Sequence, residues 1–340
     1  MTSASDIQGG VGRRWAVVLA GGAGKRLEAL TADARGTRVP KQYCALRGDR
    51  SLLQMALARA ERLVPEDRVV VVVQRDHRSW WGRELADLPP ENVLVQPRDR
   101  GTAVGLALTL LAIRRRDPGA AVVILPADHF VAREDLLAEG IEVAFAEVER
   151  APERVVLLAV ASSRPDVGLG WIVPERAGEP AAVLAVAEFR EKPSRPAMRK
   201  LLERGALVNC FVSVGRVGTF LRLLEARPEV VERLAPLLLT GRLDPGRLAA
   251  AYERLPRVDL STHVFEGATE HLAVLPLPEV GWTDLGTPAS VRRCLGRHRI
   301  PVLPARSGHR APVDLSAPRP VGLRTVRVPA ADLARYTEML

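Results

Sequence analysis

Residues 16–31, with the sequence AVVLAGGAGKRLEALT, constrain the fold of this chain more than any other stretch. The apolar run at residues 16–20 predicts a buried parallel strand, and a helical pattern begins near Leu27. Three glycines separate the two: Gly21, Gly22 and Gly24. Glycines at such a turn let backbone N–H groups approach a ligand, and the partial positive charge of a helix N-terminus favours a phosphate. The stretch therefore predicts a phosphate-binding turn.

Lys25 and Arg26 add two cations directly after the last glycine of this turn. The spacing excludes two familiar phosphate-binding loops. A Walker A loop would need Gly at position 19 and Ser or Thr at position 26, where the chain has Leu19 and Arg26. A dinucleotide-binding fingerprint would need a third small residue where Leu27 stands. A tight turn that binds no ligand stays open as the alternative.

The composition indicates one large domain. With 340 residues, 47% of them hydrophobic, the chain can bury a sizeable α/β core. Its longest apolar stretch, residues 103–113, is too short to cross a bilayer, so no membrane partner is expected. The first 14 residues lack the pattern of a secretion signal. Three cysteines without a CxxC pair favour a reduced cytoplasmic setting and no cysteine metal site.

The formal charge of +9 raises the question of a nucleic-acid partner. The basic residues are scattered, however, and only three tyrosines are present, so no basic stripe interleaved with aromatic residues exists. We therefore expect no nucleic-acid partner. Only four of the 49 basic residues are lysines: Lys25, Lys41, Lys192 and Lys200. In a chain that otherwise uses Arg, lysine indicates positions that need a compact, flexible ammonium.

Strand and helix patterns alternate through the first half of the chain. Strands are predicted at residues 68–74, 92–96, 120–125 and 155–161, and helices at residues 51–63, 79–88, 102–116 and 135–150. This alternation predicts an α/β fold with a doubly wound, mostly parallel sheet. Ligands bind outside the carboxyl ends of parallel strands, so the glycine turn, Gln96 and Asp128 are expected to meet in one crevice.

The alternation loosens from residue 164, and beyond residue 297 the chain is rich in Pro and Arg. We therefore divide the chain into three parts. Residues 1–14 are expected to form a flexible N-terminal arm, residues 15–295 the main domain, and residues 296–340 a loosely structured C-terminal extension.

Two aspartates lie at sharp turns of the chain. Asp128 belongs to Pro126-Ala-Asp-His129, at the exit of a predicted strand, and Asp284 belongs to Gly281-Trp-Thr-Asp-Leu-Gly286. Each is as readily a solvated loop carboxylate as a Mg²⁺ ligand, but together with a phosphate-binding turn they favour a Mg²⁺ site. The adjacent His129 is interpreted as an orienting group. Glu191 and Lys192 form either a surface ion pair or a pair that binds a sugar hydroxyl and a phosphate.

Six ordered segments resemble those of the sugar-1-phosphate nucleotidyltransferases. They are Leu19-Ala-Gly-Gly-Ala-Gly-Lys-Arg-Leu27, Pro40-Lys-Gln42, Pro126-Ala-Asp-His129, Phe189-Arg-Glu-Lys-Pro193, Asn209-Cys-Phe211 and Gly281-Trp-Thr-Asp284. Six motifs in this order are far more specific than any one of them, and they span roughly residues 15–295. Lys41 followed by Gln42 is similar to the mannose-1-phosphate guanylyltransferase branch, since the thymidylyl and adenylyl branches usually have Lys-Pro.

The resemblance implies a Rossmann-like sheet of the nucleotide-diphospho-sugar transferase type. It also implies that a nucleoside triphosphate and a sugar-1-phosphate give a nucleotide-sugar and pyrophosphate, with GTP, mannose-1-phosphate and GDP-mannose as the expected compounds and Mg²⁺ as cofactor. The implied nucleotide-binding residues are Leu19, Ala20, Gly21, Gly22, Gly24, Lys25, Gln96, Gly101 and Thr102. The implied catalytic residues are Arg26, Lys41, Asp128, Lys192 and Asp284, and both aspartates are the implied Mg²⁺ ligands. The implied sugar-binding residues are Gly170, Glu191 and Asn209.

Three positions depart from the pattern of these enzymes. Lys25 stands where Thr is usual, Cys210 stands where a Ser-Gly pair is common, and Ser261 stands where an aspartate is expected. The departures bear more on the choice of sugar than on the type of reaction. Two alternatives stay open: another pair of substrates, such as glucose-1-phosphate with dTTP, and a catalytically silent nucleotide-sugar sensor. A homodimer also stays open.

Overall fold

The structure, a computed structural model, describes residues 13–22, 31, 38–45, 50–162, 164–175, 182–239 and 243–297. Its strands are β1 (Arg14–Ala20), β2 (Val69–Gln74), β3 (Val93–Gln96), β4 (Ala121–Pro126), β5 (Val155–Val160), β6 (Gly170–Pro174), β7 (Leu184–Glu191), β8 (Leu207–Arg216) and β9 (Leu272–Leu277). Its helices are α1 (Leu52–Glu61), α2 (Arg78–Glu84), α3 (Thr102–Arg116), α4 (Glu134–Arg150), α5 (Arg195–Glu203), α6 (Val217–Leu223), α7 (Pro228–Leu239), α8 (Pro245–Arg254), α9 (Leu260–His263) and α10 (Pro288–Arg297).

All of these strands join one sheet, in the order β3-β2-β1-β4-β8-β5-β9-β7-β6. Parallel pairing joins β3, β2, β1 and β4, and also joins β5 to β9. The remaining pairings are antiparallel, including those of β8 with both β4 and β5. The expected α/β sheet is present, but it is mixed, and the expectation of a mostly parallel sheet describes its first half alone.

The change of strand direction follows from the connections between strands. A parallel neighbour needs a crossover such as a helix, and α1, α2 and α3 supply one after each of β1, β2 and β3. Only nine residues, 175–183, separate β6 from β7, fewer than a crossover needs, and the two strands pair as an antiparallel hairpin. The change therefore begins where the sequence pattern loosens.

The two faces of the sheet carry separate hydrophobic cores. Val17 of β1 packs in one core with residues of α3, α6 and α7. Its neighbours Ala16 and Val18 pack in the other core with residues of α1 and α4. A strand covered on both faces requires this alternation, so helices lie on each side of the sheet, as expected.

The first described helix begins with a capping box at Ser51. Ser51 Oγ accepts a hydrogen bond from the backbone N–H of Gln54, and the Gln54 side chain accepts one from the backbone N–H of Ser51. This capping box satisfies two helix donors that would otherwise lack partners. It sets the start of α1 shortly after the short 3₁₀ turn Lys41–Tyr43, which carries Lys41.

Several sequence predictions fall outside the described residues: those for Gly24, Lys25 and Arg26, for most of the N-terminal arm and for nearly all of the C-terminal extension. The division into arm, domain and extension therefore stays a prediction. None of the described helices combines the length and apolar character that crossing a bilayer requires.

Candidate active site

A cavity of about 530 Å³ opens at the carboxyl ends of β1 to β4. Most of the candidate site residues line it: Leu19, Gly21, Gly22, Lys41, Gln96, Gly101, Thr102, Asp128, Gly170, Glu191, Lys192, Asn209 and Asp284. The expected meeting of the glycine turn, Gln96 and Asp128 in one crevice is therefore found. Ala20 lies just behind this surface, buried in the core. The functional roles of all these residues stay predictions.

The start of the glycine turn is held by a buried glutamine. Gln42 Nε2 donates hydrogen bonds of 2.9 Å to the backbone carbonyls of both Ala20 and Gly22. Its side chain belongs to the same 3₁₀ turn as Lys41. The amide of Gln42 therefore fixes the glycine turn and Lys41 relative to each other. The sequence showed Gln42 as part of a motif but did not predict this structural role.

Two further amides lie side by side at one end of the crevice. Gln74 and Gln96 are paired residues at the ends of the parallel strands β2 and β3, and both are buried. A Cβ added to Gly21 would lie 2.7 Å from Gln96 Nε2 and 3.4 Å from Gln74 Nε2. The glycine thus lets the chain pass directly beside both amides. Amides donate and accept hydrogen bonds, as the edges of nucleobases do.

The segment that follows β3 is fastened to the residues after α8. Gly101 has φ 87°, and a Cβ there would lie 2.2 Å from the backbone carbonyl oxygen of Val258, so the position requires glycine. Ala103 N–H donates to the same carbonyl at 3.1 Å, and Thr102 Oγ1 accepts from Leu260 N–H at 2.9 Å. These contacts fix the N-terminus of α3 at the border of the crevice.

Lys41 connects the two aspartates that were predicted to bind metal. Its Nζ lies 2.8 Å from Asp128 Oδ2 and donates a hydrogen bond to the backbone carbonyl of Asp284. Phe130 and Thr283 exchange two backbone hydrogen bonds of 3.0 Å, which hold the two aspartate-bearing loops side by side. Three distant segments therefore place a cation and two acidic residues together at the centre of the crevice.

The pKa values of Asp128 and His129 both lie below their ordinary values in this arrangement, but for different reasons. Burial raises the pKa of Asp128, but the nearby Lys41 and His129 outweigh it, so the pKa lies below its ordinary value. For His129, burial lowers the pKa by more than the Asp128 carboxylate raises it. Asp128 is therefore ionised, and the imidazole of His129 is neutral near pH 7.

Both ring nitrogens of His129 have polar neighbours. Trp282 Nε1, which can only donate, lies 3.3 Å from Nδ1, and the backbone carbonyl oxygen of Cys210, which can only accept, lies 3.2 Å from the same atom. The two neighbours require different tautomers, so the contacts do not assign the proton to one nitrogen. Nε2 faces Asp128 Oδ1 at 3.7 Å, and the interpretation of His129 as an orienting group stays a prediction.

The donor set at the centre of the crevice fits Mg²⁺. Asp128 and Asp284 both line the cavity, and carboxylate oxygens are ligands that this ion prefers. In the described part of the chain, no three or more His, Cys, Asp or Glu side chains are grouped to hold a metal ion. Mg²⁺ usually binds through one or two carboxylates and takes its other ligands from phosphates and water. Two aspartates in a cavity large enough for phosphates match that coordination preference.

The predicted sugar-binding residues lie together at the other end of the crevice. Gly170 and Glu191 are paired across the β6–β7 hairpin, and a Cβ on Gly170 would lie 2.5 Å from Glu191 Oε2 and 3.5 Å from Asn209 Cβ. Burial raises the pKa of Glu191, although the ion pair with Lys192, 2.9 Å from Nζ to Oε1, opposes the shift. Glycine at position 170 therefore leaves the carboxylate open towards the cavity.

The backbone is strained at three non-glycine residues that border these groups. Lys192, Phe211 and Leu285 have φ values of 45°, 61° and 50°. Each N–H finds an acceptor: Leu169 O, Asn209 Oδ1 and Thr283 Oγ1, respectively. Such conformations cost of order 1–3 kcal/mol each and persist where surrounding contacts enforce them, most often at functional sites.

Two residues that line the cavity, Gln74 and Asp259, were not predicted from the sequence, and Phe211 and Trp282 were recognised only as members of motifs. Gln74 could have been found, because it ends β2 as Gln96 ends the neighbouring strand. The structure also locates two of the residues that depart from the family pattern. Ser261 lines the cavity, whereas Cys210 is fully buried in the core that contains α1 and α4.

Comparisons with known proteins agree with this geometry. Residues 15–295 match the family model described as nucleotidyl transferase. The alginate biosynthesis protein AlgA of Pseudomonas syringae is 30% identical over 246 residues, and the mannose-1-phosphate guanylyltransferase of Escherichia coli K12 is 28% identical over 256 residues. A crystal structure described as mannose-1-phosphate geranyltransferase from Thermus thermophilus superposes with a TM-score of 0.69 at 26% identity, over 83% of this chain and 79% of that one.

The curated relatives are longer than the matched region. The AlgA alignment covers 69% of this chain and 50% of the relative, and the guanylyltransferase alignment covers 71% and 52%. The chain therefore spans about half the length of the curated relatives it matches.

Proposed function

Because the chain belongs to the nucleotidyl transferase family, we propose that it transfers a nucleotidyl group from a nucleoside triphosphate to a sugar-1-phosphate and releases pyrophosphate. Our specific proposal is that GTP and mannose-1-phosphate are the substrates and GDP-mannose the product. The relatives that are named for mannose-1-phosphate chemistry support this choice, as does the Lys41-Gln42 pair.

One observation carries the proposal: Lys41 Nζ contacts both Asp128 and the backbone of Asp284 in the middle of a single crevice. The amides of Gln74 and Gln96 lie towards one end of that crevice, and Glu191 and Asn209 line it elsewhere. This layout suits a base and a sugar on either side of reacting phosphates.

The proposed reaction needs electrostatic help more than proton transfer. An oxygen of the sugar phosphate attacks the α-phosphorus of the triphosphate, and the bond from that phosphorus to the bridging oxygen of the β-phosphate breaks as pyrophosphate leaves. The nucleophile is already an anion, so no strong general base is required. The barrier comes from bringing two polyanions together, which positioning and nearby positive charge reduce.

Each group has a proposed part in this task. Lys41 offsets negative charge near the reacting phosphates, and Arg26 is proposed to bind the triphosphate. Asp128 and Asp284 would hold Mg²⁺, which would neutralise phosphate charge when bound. Lys192 is proposed to bind the sugar phosphate. Its side chain is 55% exposed, so it can exchange its contact with Glu191 for a phosphate at modest cost.

The sugar itself is proposed to bind against Gly170, Glu191 and Asn209, where the absence of a side chain at position 170 leaves space beside the carboxylate. Cys44 and Cys210 are buried free thiols, which favours the reduced cytoplasmic setting proposed for the protein.

A substrate matrix tests the proposal directly. The full chain is incubated with Mg²⁺, each of GTP, ATP, dTTP and UTP, and each of mannose-1-phosphate and glucose-1-phosphate, and pyrophosphate is measured. The expected result is release that requires both substrates and is fastest with GTP and mannose-1-phosphate. Faster release with another pair would identify that pair as the substrates in place of GTP and mannose-1-phosphate. Tight nucleotide-sugar binding without release from any pair would contradict an enzyme and favour a sensor.

A further inference from the structure

The side-chain amide of Gln96 is enclosed by two glycines and a buried tyrosine. Tyr252 of α8 is fully buried, and its hydroxyl donates a hydrogen bond of 3.3 Å to Gln96 Oε1. A Cβ added to Gly105 would lie 3.0 Å from Oε1 and 3.2 Å from Nε2, so α3 packs against the whole amide, whereas one added to Gly21 would lie 2.7 Å from Nε2. The carbonyl end of the amide thus faces Tyr252, and its NH₂ end faces the glycine turn.

An amide needs a directional partner to hold one orientation. Its oxygen and nitrogen ends have almost the same shape, so an amide without such a partner can turn over at little cost. The Tyr252 hydroxyl can donate or accept, and burial raises the pKa of Tyr252 so that its hydrogen is retained. If the amide turned over and donated to the hydroxyl, that buried hydrogen would have no acceptor among the described residues, which costs free energy. Oε1 therefore accepts from the tyrosine, and the two hydrogens of Nε2 stay on the side of Gly21.

The tyrosine is itself held in place from the same loop. Arg100 Nε donates to the backbone carbonyl of Tyr252 at 2.7 Å, and Val258 N–H donates to the backbone carbonyl of Arg100 at 2.9 Å. Gly101, the next residue, contacts Val258 closely. The segment that follows Gln96 and the segment that carries Tyr252 are therefore tied together, so the distance between the hydroxyl and the amide is fixed by the backbone.

We propose that Tyr252 is a positioning residue for base selection: by fixing the amide of Gln96, it presents an N–H donor to the nucleobase. A donor there favours a base edge that carries a carbonyl, as guanine does at position 6, over one that carries an amino group, as adenine does. This inference rests on the proposed function, because it places the base at the end of the crevice lined by Gln96.

Removal of the hydroxyl alone separates positioning from packing. In Tyr252→Phe the ring remains in the core, but the Gln96 amide loses its directional partner and can offer Oε1 to the amino group of adenine. We expect the ratio of the ATP and GTP dissociation constants to fall about fivefold, the size of effect that one neutral hydrogen bond supports. If the substitution instead disturbed only the packing of the ring, it would weaken the binding of GTP and ATP equally and leave the ratio unchanged.

Calorimetric titration of the full chain with GTP, ITP and ATP measures this ratio without the sugar substrate. ITP keeps the carbonyl of guanine at position 6 and lacks its amino group at position 2, so it isolates the proposed contact. Wild type is expected to prefer both GTP and ITP to ATP. Tyr43→Phe is the matched control, since Tyr43 is also a buried tyrosine but neighbours Gln42 instead of Gln96 and does not line the cavity. That variant should keep the wild-type ratio.

A double-mutant cycle with Gln96→Met completes the test. Gln96→Met should lower the selectivity by itself, and adding Tyr252→Phe should then change it no further. An equal effect of Tyr252→Phe in both backgrounds, or a wild type that binds ATP as well as ITP, would overturn the inference. A Tyr252→Phe variant that does not fold would assign the hydroxyl to stability and overturn it as well. A wild-type chain that binds none of the three nucleotides would overturn the proposed function, and the inference with it.

Discussion

Lys41 and Asp128 form an ion pair of 2.8 Å in which the two side chains differ in exposure. The lysine side chain is 7% exposed, whereas that of the aspartate is 36% exposed within the crevice. The buried lysine therefore has few alternative partners, and the carboxylate keeps an open side that a ligand can reach. This asymmetry suits a fixed cation beside an anion that must also bind something else.

Lys41→Met should lower kcat/KM for pyrophosphate release about a hundredfold. The substitution keeps the length of the side chain but removes the charge that would offset the reacting phosphates, a loss on the order of 3 kcal/mol in the transition state. Lys200→Met is the matched control, because Lys200 is an exposed residue of α5 that does not line the cavity. A Lys41→Met enzyme within threefold of the control would contradict the assignment.

Asp284→Asn should raise the Mg²⁺ concentration that gives half of the maximal rate, by about tenfold or more. Loss of one carboxylate removes a charged ligand from a site where the chain supplies one or two. The enzyme is first treated with a chelator until its activity is lost, and the rate of pyrophosphate release is then measured as the concentration of free Mg²⁺ is raised. Asp135→Asn, at an exposed residue that pairs with Arg133, should leave the Mg²⁺ dependence unchanged. Equal Mg²⁺ curves for the two variants would argue against a metal ligand at Asp284.

The meeting of Gly21, Gln96 and Asp128 in one crevice could be predicted because it depends on local pattern. Each follows or ends an apolar run that the sequence marks as a strand, and parallel strands bring their carboxyl ends to the same edge. The N-cap at Ser51 was predictable for the same reason, since its partner Gln54 lies three residues away.

The contacts that position those residues could not be predicted in the same way. Tyr252 reaches Gln96 across 156 positions of sequence, and Val258 meets Gly101 across a similar span. Nothing in the local pattern of either segment signals its partner, because the proximity arises from how α8 and the following loop pack beside α3. The antiparallel position of β8 between β4 and β5 was not predicted for the same reason: the local pattern of β8 does not show which strands it pairs with.

Gly101→Ala should lower the free energy of unfolding by about 2–4 kcal/mol, because it combines an unfavourable φ with a clash. Its Cβ would lie 2.2 Å from the backbone carbonyl oxygen of Val258, which cannot move without the chain. Gly205→Ala separates the two effects, since Gly205 has φ 72° and no atom within 4 Å of an added Cβ. That control should lose only about 1 kcal/mol. Urea unfolding measures both, and equal losses would rule out the clash.

Glu84, at the end of α2, carries a pH-sensitive part of the stability. Its carboxylate accepts a hydrogen bond of 2.6 Å from Ser51 Oγ, the N-cap of α1. Burial raises the pKa of Glu84 from 4.5 to about 7, and the hydrogen bond from Ser51 reverses only part of that effect. The folded state therefore binds this proton more tightly than the unfolded chain does.

Glu84→Gln should consequently stabilise the protein at pH 8 but not at pH 4.5. With a folded pKa of about 7 above an unfolded value of 4.5, the wild-type free energy of unfolding falls as pH rises between these values, by up to about 3 kcal/mol. The glutamine resembles the protonated form, so the variant escapes this fall. Urea unfolding from pH 4.5 to pH 8 measures the difference, with the exposed Glu61→Gln of α1 as control. If the curves of wild type and Glu84→Gln run parallel across that range, the carboxyl of Glu84 does not titrate with folding.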